Sequence, residues 1–200
     1  MKKIFLIIVI SFITIILSCS QNNQNGVKSE DNGKLVTHND GKKQLLGYKP
    51  VSDKIYKGYK KVRLPNTRNL SMAVSVDISD KMPKVDSQGY QNSCVAWATG
   101  YYTMSYLFKK IYNWDYDYNS YSNLFSPAFI YNQINNGEDS GTTFEDAFNL
   151  LKTEGVSPIM YFGYNDQDFS STPDDSTKKI AQNYKIKDFE TLGEKLKISL

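Results

Sequence analysis

Histidine is nearly absent from this chain: among 200 residues there is one, His38. It lies in the stretch SQNNQNGVKSEDNGKLVTHND, residues 20–40, which is rich in Asn, Gln and Gly and has few large apolar groups. Such a stretch buries too little surface to offset its ordering entropy, so His38 reads as a solvated linker residue rather than a base or a ligand. An excess of one charge is also missing. The 24 basic and 21 acidic side chains leave +3, and with Lys2 and Lys3 set aside the balance is 22 to 21, a formal +1. No basic field remains to recruit nucleic acid. Metal ligands are equally thin. Asp115, Asp117 and Asn119 open like a calcium loop, but Ser120 stands where the turn glycine belongs and Ser126 where the bidentate glutamate belongs. No metal and no cofactor are expected.

Cysteine occurs twice, as Cys19 and Cys94. The first closes MKKIFLIIVISFITIILSCS, in which two lysines precede a run from Ile4 to Leu17 broken only by Ser11 and Thr14. The run is shorter than the roughly 20 apolar residues a spanning helix needs, and its charged front and small-residue end fit an export signal. Ile16-Leu17-Ser18-Cys19 resembles the lipobox of bacterial lipoproteins, in which the signal is cut before the cysteine and the thiol takes a diacylglyceryl group. The resemblance implies lipidation at Cys19 and a protein anchored to a bacterial membrane, at the cell envelope or surface, without spanning it. Two or three acyl chains, at about 0.8 kcal/mol per buried methylene, hold durably. Cys94 is then the only thiol of the exported part, which leaves no partner for an intramolecular disulfide. A lone cysteine in an exported domain points to a reactive thiol, with a small buried hydrophobe as the alternative.

The organisation follows from composition and periodicity: a signal over 1–18, a flexible tether over 19–40, a lead-in over 41–73 and one domain over 74–200. In the lead-in, basic residues alternate with Tyr, Ile and Leu, as in a segment that wraps a domain surface; AVSVDIS (73–79) alternates like a short strand. Ser93 stands at the N-cap position of a helix in which Trp97, Tyr101, Met104, Phe108 and Ile111 form one stripe over about 18 residues, interrupted by Gly100, a sign of close packing. A tyrosine-rich loop follows. Ser126-Pro127 opens a second helix and Thr142 or Thr143 a third, with Thr142 and Glu145 spaced as a capping box and Gly155 as the stop. YKIKDF (184–189) alternates like a strand, and Thr191-x-x-Glu194 opens a last helix that has no stop signal before Leu200.

The chemistry gathers in DSQGYQNSCVAW, residues 86–97. A cysteine in the first turn of a helix has its thiolate favoured by unpaired backbone N–H groups and the positive end of the helix dipole. Attack on an amide creates an oxyanion that needs donors already aimed at it, and Gln88, six positions earlier across a glycine-containing loop, supplies one beside the Cys94 N–H.

The run Gln88-Gly89-Tyr90-Gln91-Asn92-Ser93-Cys94-Val95-Ala96-Trp97-Ala98 resembles the motif of papain-like cysteine peptidases, in the bacterial form with VAWAT after the cysteine. The resemblance continues through SVDIS, FSPAFIYNQIN, the Gly141 region with EDAFNLLKTEGV, and YKIKDF. It implies an α+β, papain-like cysteine proteinase fold, here mainly the helical lobe with the β-barrel lobe largely missing. It also implies Cys94 as nucleophile, Gln88 as oxyanion donor, Gly141 as the glycine that pairs with substrate backbone, a peptide or protein substrate, and a monomer. Gln91 stands where the family has a cysteine, so a family disulfide is missing and the loop is expected to be held by packing alone. The family's histidine lies about 130–150 residues after the cysteine. No histidine follows Cys94, so a fragment lacking its base is expected. A catalytically inactive binding module is the second reading. An aromatic surface adhesin is the third, requiring Tyr116, Tyr118 and Tyr121 exposed together.

Overall fold

The computed structural model describes residues 47–62 and 75–191, and the backbone of two strands ahead of them. The expectations for the signal run, Cys19, His38 and the helix after Thr191 lie outside the described residues. Strands β1 (Leu35–Thr37) and β2 (Lys43–Leu45) pair antiparallel, with Leu35 opposite Leu45. β1 falls within the stretch read as tether; Leu35, Val36 and Thr37 are the residues of that stretch that favour extended pairing.

Residues 47–62 form a strap on the helical unit. Its short helix α1 (Asp53–Gly58) is capped by Ser52 and buries no side chain of its own. The strap is fastened at both ends. Lys49 N donates to Thr142 O (2.9 Å) and Thr142 N to Gly47 O (2.8 Å); at the far end Val62 N donates to Thr191 O and Thr191 N to Lys60 O. Between them the Tyr59 hydroxyl donates to the Glu145 carboxylate. Residues 47–62, part of the stretch read as a lead-in, are bonded to the helical unit in this way.

The strand expected through AVSVDIS is not formed in its described part, residues 75–79. Residues 75–78 are irregular, with Val76 and Ile78 exposed, and lead into a single 3-10 turn (Ser79–Lys81). Alternation supplies one apolar face, but no neighbouring strand is offered to it among the described residues.

The helix that begins at Cys94 has three parts in unbroken succession: α2 (Cys94–Ala96), a π-helical stretch (Trp97–Met104) and α3 (Ser105–Tyr112). Val95, Ala96, Trp97, Tyr101, Met104, Leu107 and Phe108 are buried, whereas Ile111 is 57% exposed, so the stripe ends one turn earlier than its spacing suggests. Gly100 is where α4 (Pro127–Ile134) crosses: a Cβ there would lie 2.7 Å from Ile130 Cδ1. Thr99 Oγ1 donates back to Val95 O within the widened turns. Helices of the π type are uncommon and concentrate at functional sites, and this one starts three residues after Cys94.

Ser126 caps α4, its Oγ accepting from Phe129 N, with Pro127 in the first turn as expected. In α5 (Phe144–Thr153) the cap is Thr143, whose Oγ1 accepts from Asp146 N (3.0 Å). The capping box of Thr142 and Glu145 is not used. Thr142 is buried and bonded to the strap through its backbone, and Glu145 is engaged by Tyr59. Asp174 caps α6 (Asp175–Ala181). YKIKDF is not a strand; it runs along the end of α5, with Val156 N donating to Tyr184 O and Ile186 N to Leu151 O.

One core unites these helices: Val95 and Met104 meet Phe125, Phe129, Ile130 and Tyr131 of the second helix region, Leu151 of α5 and Ala181 of α6. A second cluster of Trp97, Tyr101 and Leu124 is covered by Tyr116, Tyr118 and Tyr164. Tyr116 donates to Lys81 O and the Tyr118 hydroxyl accepts from Lys84 N, so these tyrosines staple residues 81–84 onto the helix. Tyr116 and Tyr118 are thereby partly buried and Tyr121 is exposed, so the three are not exposed together as the adhesin reading required. No helix among the described residues is long and apolar enough to cross a membrane.

Candidate active site

Cys94 is the first residue of α2 and is partly exposed. The helix start leaves backbone N–H groups without intrahelical partners around it, the environment that favours a thiolate. Ser93 does not cap that start with its side chain. Its buried Oγ is instead 2.8 Å from the Tyr164 hydroxyl, which in turn donates to the Gln88 carbonyl (2.7 Å). Since the Tyr164 proton is committed to Gln88 O, the Ser93 hydroxyl is the donor to Tyr164. One phenol therefore ties the two ends of the Gln88–Cys94 loop together. Its pKa is raised, mainly by burial, with Ser93 opposing the shift.

The loop is shaped by its glycine. Gly89 has φ +58°, and a Cβ there would strike the Asp166 carboxylate, which accepts from Tyr90 N (3.1 Å). Gln88, half-buried, donates through Nε2 to Gln91 O (2.9 Å). An amide carries two N–H groups, so this loop bond and a bond to a substrate oxyanion are chemically compatible.

The loop is not held by packing alone, as the missing cysteine suggested. Gln91 is fully buried and donates to Asn165 O (3.3 Å) and Asp168 O (3.2 Å). Asn92 donates its backbone N–H to Asp139 Oδ1 (2.8 Å) and its Nδ2 to Asp139 O (2.7 Å). The Tyr131 hydroxyl also donates to Asp139 Oδ1 (2.5 Å) and accepts from Gly141 N (3.3 Å). Burial and the Asp139 carboxylate hold the Tyr131 phenol far above its ordinary range.

Gly141 is buried with φ +83°, a conformation only glycine adopts without strain. Its N–H is directed at Tyr131, and the pairing edge belongs to the next residue: buried Thr142 gives both N–H and C=O to residues 47–49 of the strap. Gly47 lies against the Asn92 carbonyl, with no room for a Cβ, and Lys49 Nζ donates to Ser140 Oγ (2.8 Å). The structure thus brings the loop of Gln88 and Cys94 and the edge of Gly141 and Thr142 into one bonded assembly. Sequence reading missed Tyr164, Asp139 and Tyr131. Each acts over a long range through a single hydroxyl or carboxylate, and no local spacing marks such a role. Among the described residues no group of three or more His, Cys, Asp or Glu side chains gathers as a metal site.

No family model matches the chain, and no curated protein does. Among solved structures the fold has a clear counterpart in xylellain, a cysteine protease from Xylella fastidiosa, with a TM-score of 0.58 at 23% identity over 71% of this chain and 56% of that one. The fold is papain-like. The described helices are its helical lobe, and the chain spans a little over half the length of xylellain. A mite-allergen structure, from a comparison of Blo t 1 and Der p 1, aligns at TM-score 0.49 and 17% identity over 68% of this chain and 44% of that one.

Proposed function

We propose that this chain is part of a cysteine-type peptidase in which Cys94 is the nucleophile. The observation that carries the reading is the placement of a partly exposed thiol at the start of a helix in a papain-like lobe, on a loop tied back to Gln88 through Tyr164. The Cys94 thiolate attacks the carbonyl carbon of a peptide bond. The oxyanion is met by the Cys94 N–H and the Gln88 amide. Collapse expels the amine, which takes a proton, and leaves a thioester that water hydrolyses to release the acid and restore the thiol. Deprotonating Cys94 needs a base, whose conjugate acid then protonates the leaving amine; we assign this group to sequence outside these 200 residues, in keeping with the share of xylellain that the chain spans. Lipidation at Cys19 places this activity on a bacterial membrane, an assignment that rests on the apolar run and the four residues closing it.

A papain-like binding module without catalysis is the second reading, favoured by the lack of histidine after Cys94. The two are separated by a peptidyl epoxide that reacts with papain-type thiols, applied to the soluble form from Lys28 onward and to a protein extended through the sequence encoded after Leu200. Labelling of the extended protein at Cys94, lost in Cys94→Ala, is the expected result. A folded extended protein that ignores the probe leaves the binding module.

The strap bears on how the site is reached. Residues 47–49 occupy the Thr142 edge as a parallel bridge, so a substrate backbone pairing there must first displace them. A side chain at position 47 has no room against Asn92. Gly47→Ala is therefore expected to lift this end of the strap, raising protease cleavage within residues 47–62 several-fold; unchanged cleavage would show that the strap is held from its Thr191 end alone.

A further inference from the structure

Resting on the peptidase reading, we propose that Asp139, acting with Tyr131, is a positioning residue: together they lock the turn ahead of Cys94 to the Gly141–Thr142 edge, so that nucleophile and peptide-pairing edge are held as one unit. Four hydrogen bonds converge on these two residues, three on their side chains and one on the Asp139 carbonyl. Asp139 Oδ1 receives both the Tyr131 hydroxyl (2.5 Å) and the Asn92 N–H (2.8 Å), Asp139 O receives Asn92 Nδ2 (2.7 Å), and the Tyr131 oxygen receives the Gly141 N–H (3.3 Å). They join three separate places: the loop two residues before the nucleophile, the inner face of α4, and the loop between α4 and α5. Asn92 and Tyr131 are at least nineteen-twentieths buried. Asp139 itself is partly exposed, so these bonds draw their strength from the charge of the acceptor and from donors that are buried away from water.

The loop that carries Asp139 is otherwise an exposed turn. Asn136, Gly137 and Glu138 are exposed, and Asn136 and Gly137 both have positive φ. Left to itself such a turn moves independently of the helix core. Cys94 is the only cysteine among the described residues, so no disulfide ties the described loops. The Asp139 carboxylate does so instead, and the lock is indifferent to reductant. Its catalytic consequence is distance: the oxyanion donor at Cys94 and the backbone edge at Thr142 must grip one peptide at once, and misplacement by about 1 Å costs on the order of 100-fold in rate.

Two variants test the lock, chosen to leave the core filled: Tyr131→Phe keeps the buried ring and removes the hydroxyl, and Asp139→Asn keeps the shape and removes the charge. In the full chain, amide hydrogen exchange at Asn92 and Gly141 is expected to accelerate on the order of tenfold in both variants, with core amides such as Leu151 unchanged. In the extended protein the same variants are expected to lower kcat more than they raise KM, since the bonded substrate is misaligned rather than unbound. Exchange at Asn92 and Gly141 equal to the parent's overturns the lock, as does acceleration spread evenly over the core. If the exchange pattern is as expected but the parent extended protein ignores the peptidyl epoxide, the peptidase reading fails and the catalytic purpose of Asp139 fails with it. A labelled parent with unchanged exchange defeats the lock alone.

Discussion

Alanine in place of Cys94 is expected to bring peptide hydrolysis by the extended protein down by a factor of order 10⁶, to what binding and oxyanion donors achieve without a nucleophile. Gln88→Ala is expected to leave a working enzyme slowed roughly 10²–10³-fold, the cost of one oxyanion donor. The contrast follows from the roles proposed for the two residues. In that mechanism the thiolate forms the bond, and nothing else in the loop replaces it. The Gln88 amide supplements the Cys94 N–H, which remains. Gln88 also has a structural bond, to Gln91 O, worth about 1 kcal/mol, so its variant must be assayed well below its unfolding temperature. The measurement is kcat/KM on a fluorogenic peptide, with active-site titration to correct for misfolded protein. Full activity in Gln88→Ala would move the oxyanion role to another donor, and residual turnover in Cys94→Ala at the parent rate would remove the thiol mechanism altogether.

The helices were legible because they are written locally. The stripe from Trp97 to Phe108, the Ser126-Pro127 start and the Gly155 stop are set by neighbours three or four residues apart. The strands were not legible. Alternation in AVSVDIS and YKIKDF specifies one apolar face but says nothing about a partner, and the described residues offer none to either. Thr142 and Thr143 are equivalent in sequence as starts of α5, and what fails is the capping box read for Thr142 with Glu145. Only the strap, by bonding the Thr142 backbone, makes Thr143 the cap. The candidate site divides the same way. Cys94, Gln88 and Gly141 lie in short stretches whose spacing points to them, whereas Tyr164 reaches Gln88 across 76 positions and Asp139 reaches Asn92 across 47. A contact of that kind is a property of the fold, and the earlier expectation that packing alone holds the loop was wrong for this reason.

The largest expected loss of stability from a single methyl group is at Gly155, and Gly137 supplies its control. Both glycines have positive φ, +83° and +78°, so alanine at either costs the left-handed strain, roughly 1–2 kcal/mol. They differ in what surrounds them. A Cβ at Gly137 has nothing within 4 Å, whereas at Gly155 it would collide with the Ala181 carbonyl and lie 2.9 Å from Tyr184 O. Both obstacles are backbone, and Ala181 O is itself holding Tyr184 N (2.9 Å). Relief requires α6 and the turn after it to move, which adds about 1–3 kcal/mol of overpacking. Gly155→Ala should therefore cost about 2–5 kcal/mol in urea melts of the full chain, a sizeable share of a domain's typical 5–15 kcal/mol. The displacement also has a route to the site. Ser157 O receives the N–H of Ser126, the cap of α4, and α4 carries Tyr131. Equal costs at the two glycines would mean that α6 yields freely and backbone strain is the whole effect. A larger loss at Gly155, accompanied by faster exchange at Asn92, would show that the end of α5, the start of α4 and the loop before Cys94 form one mechanically continuous support.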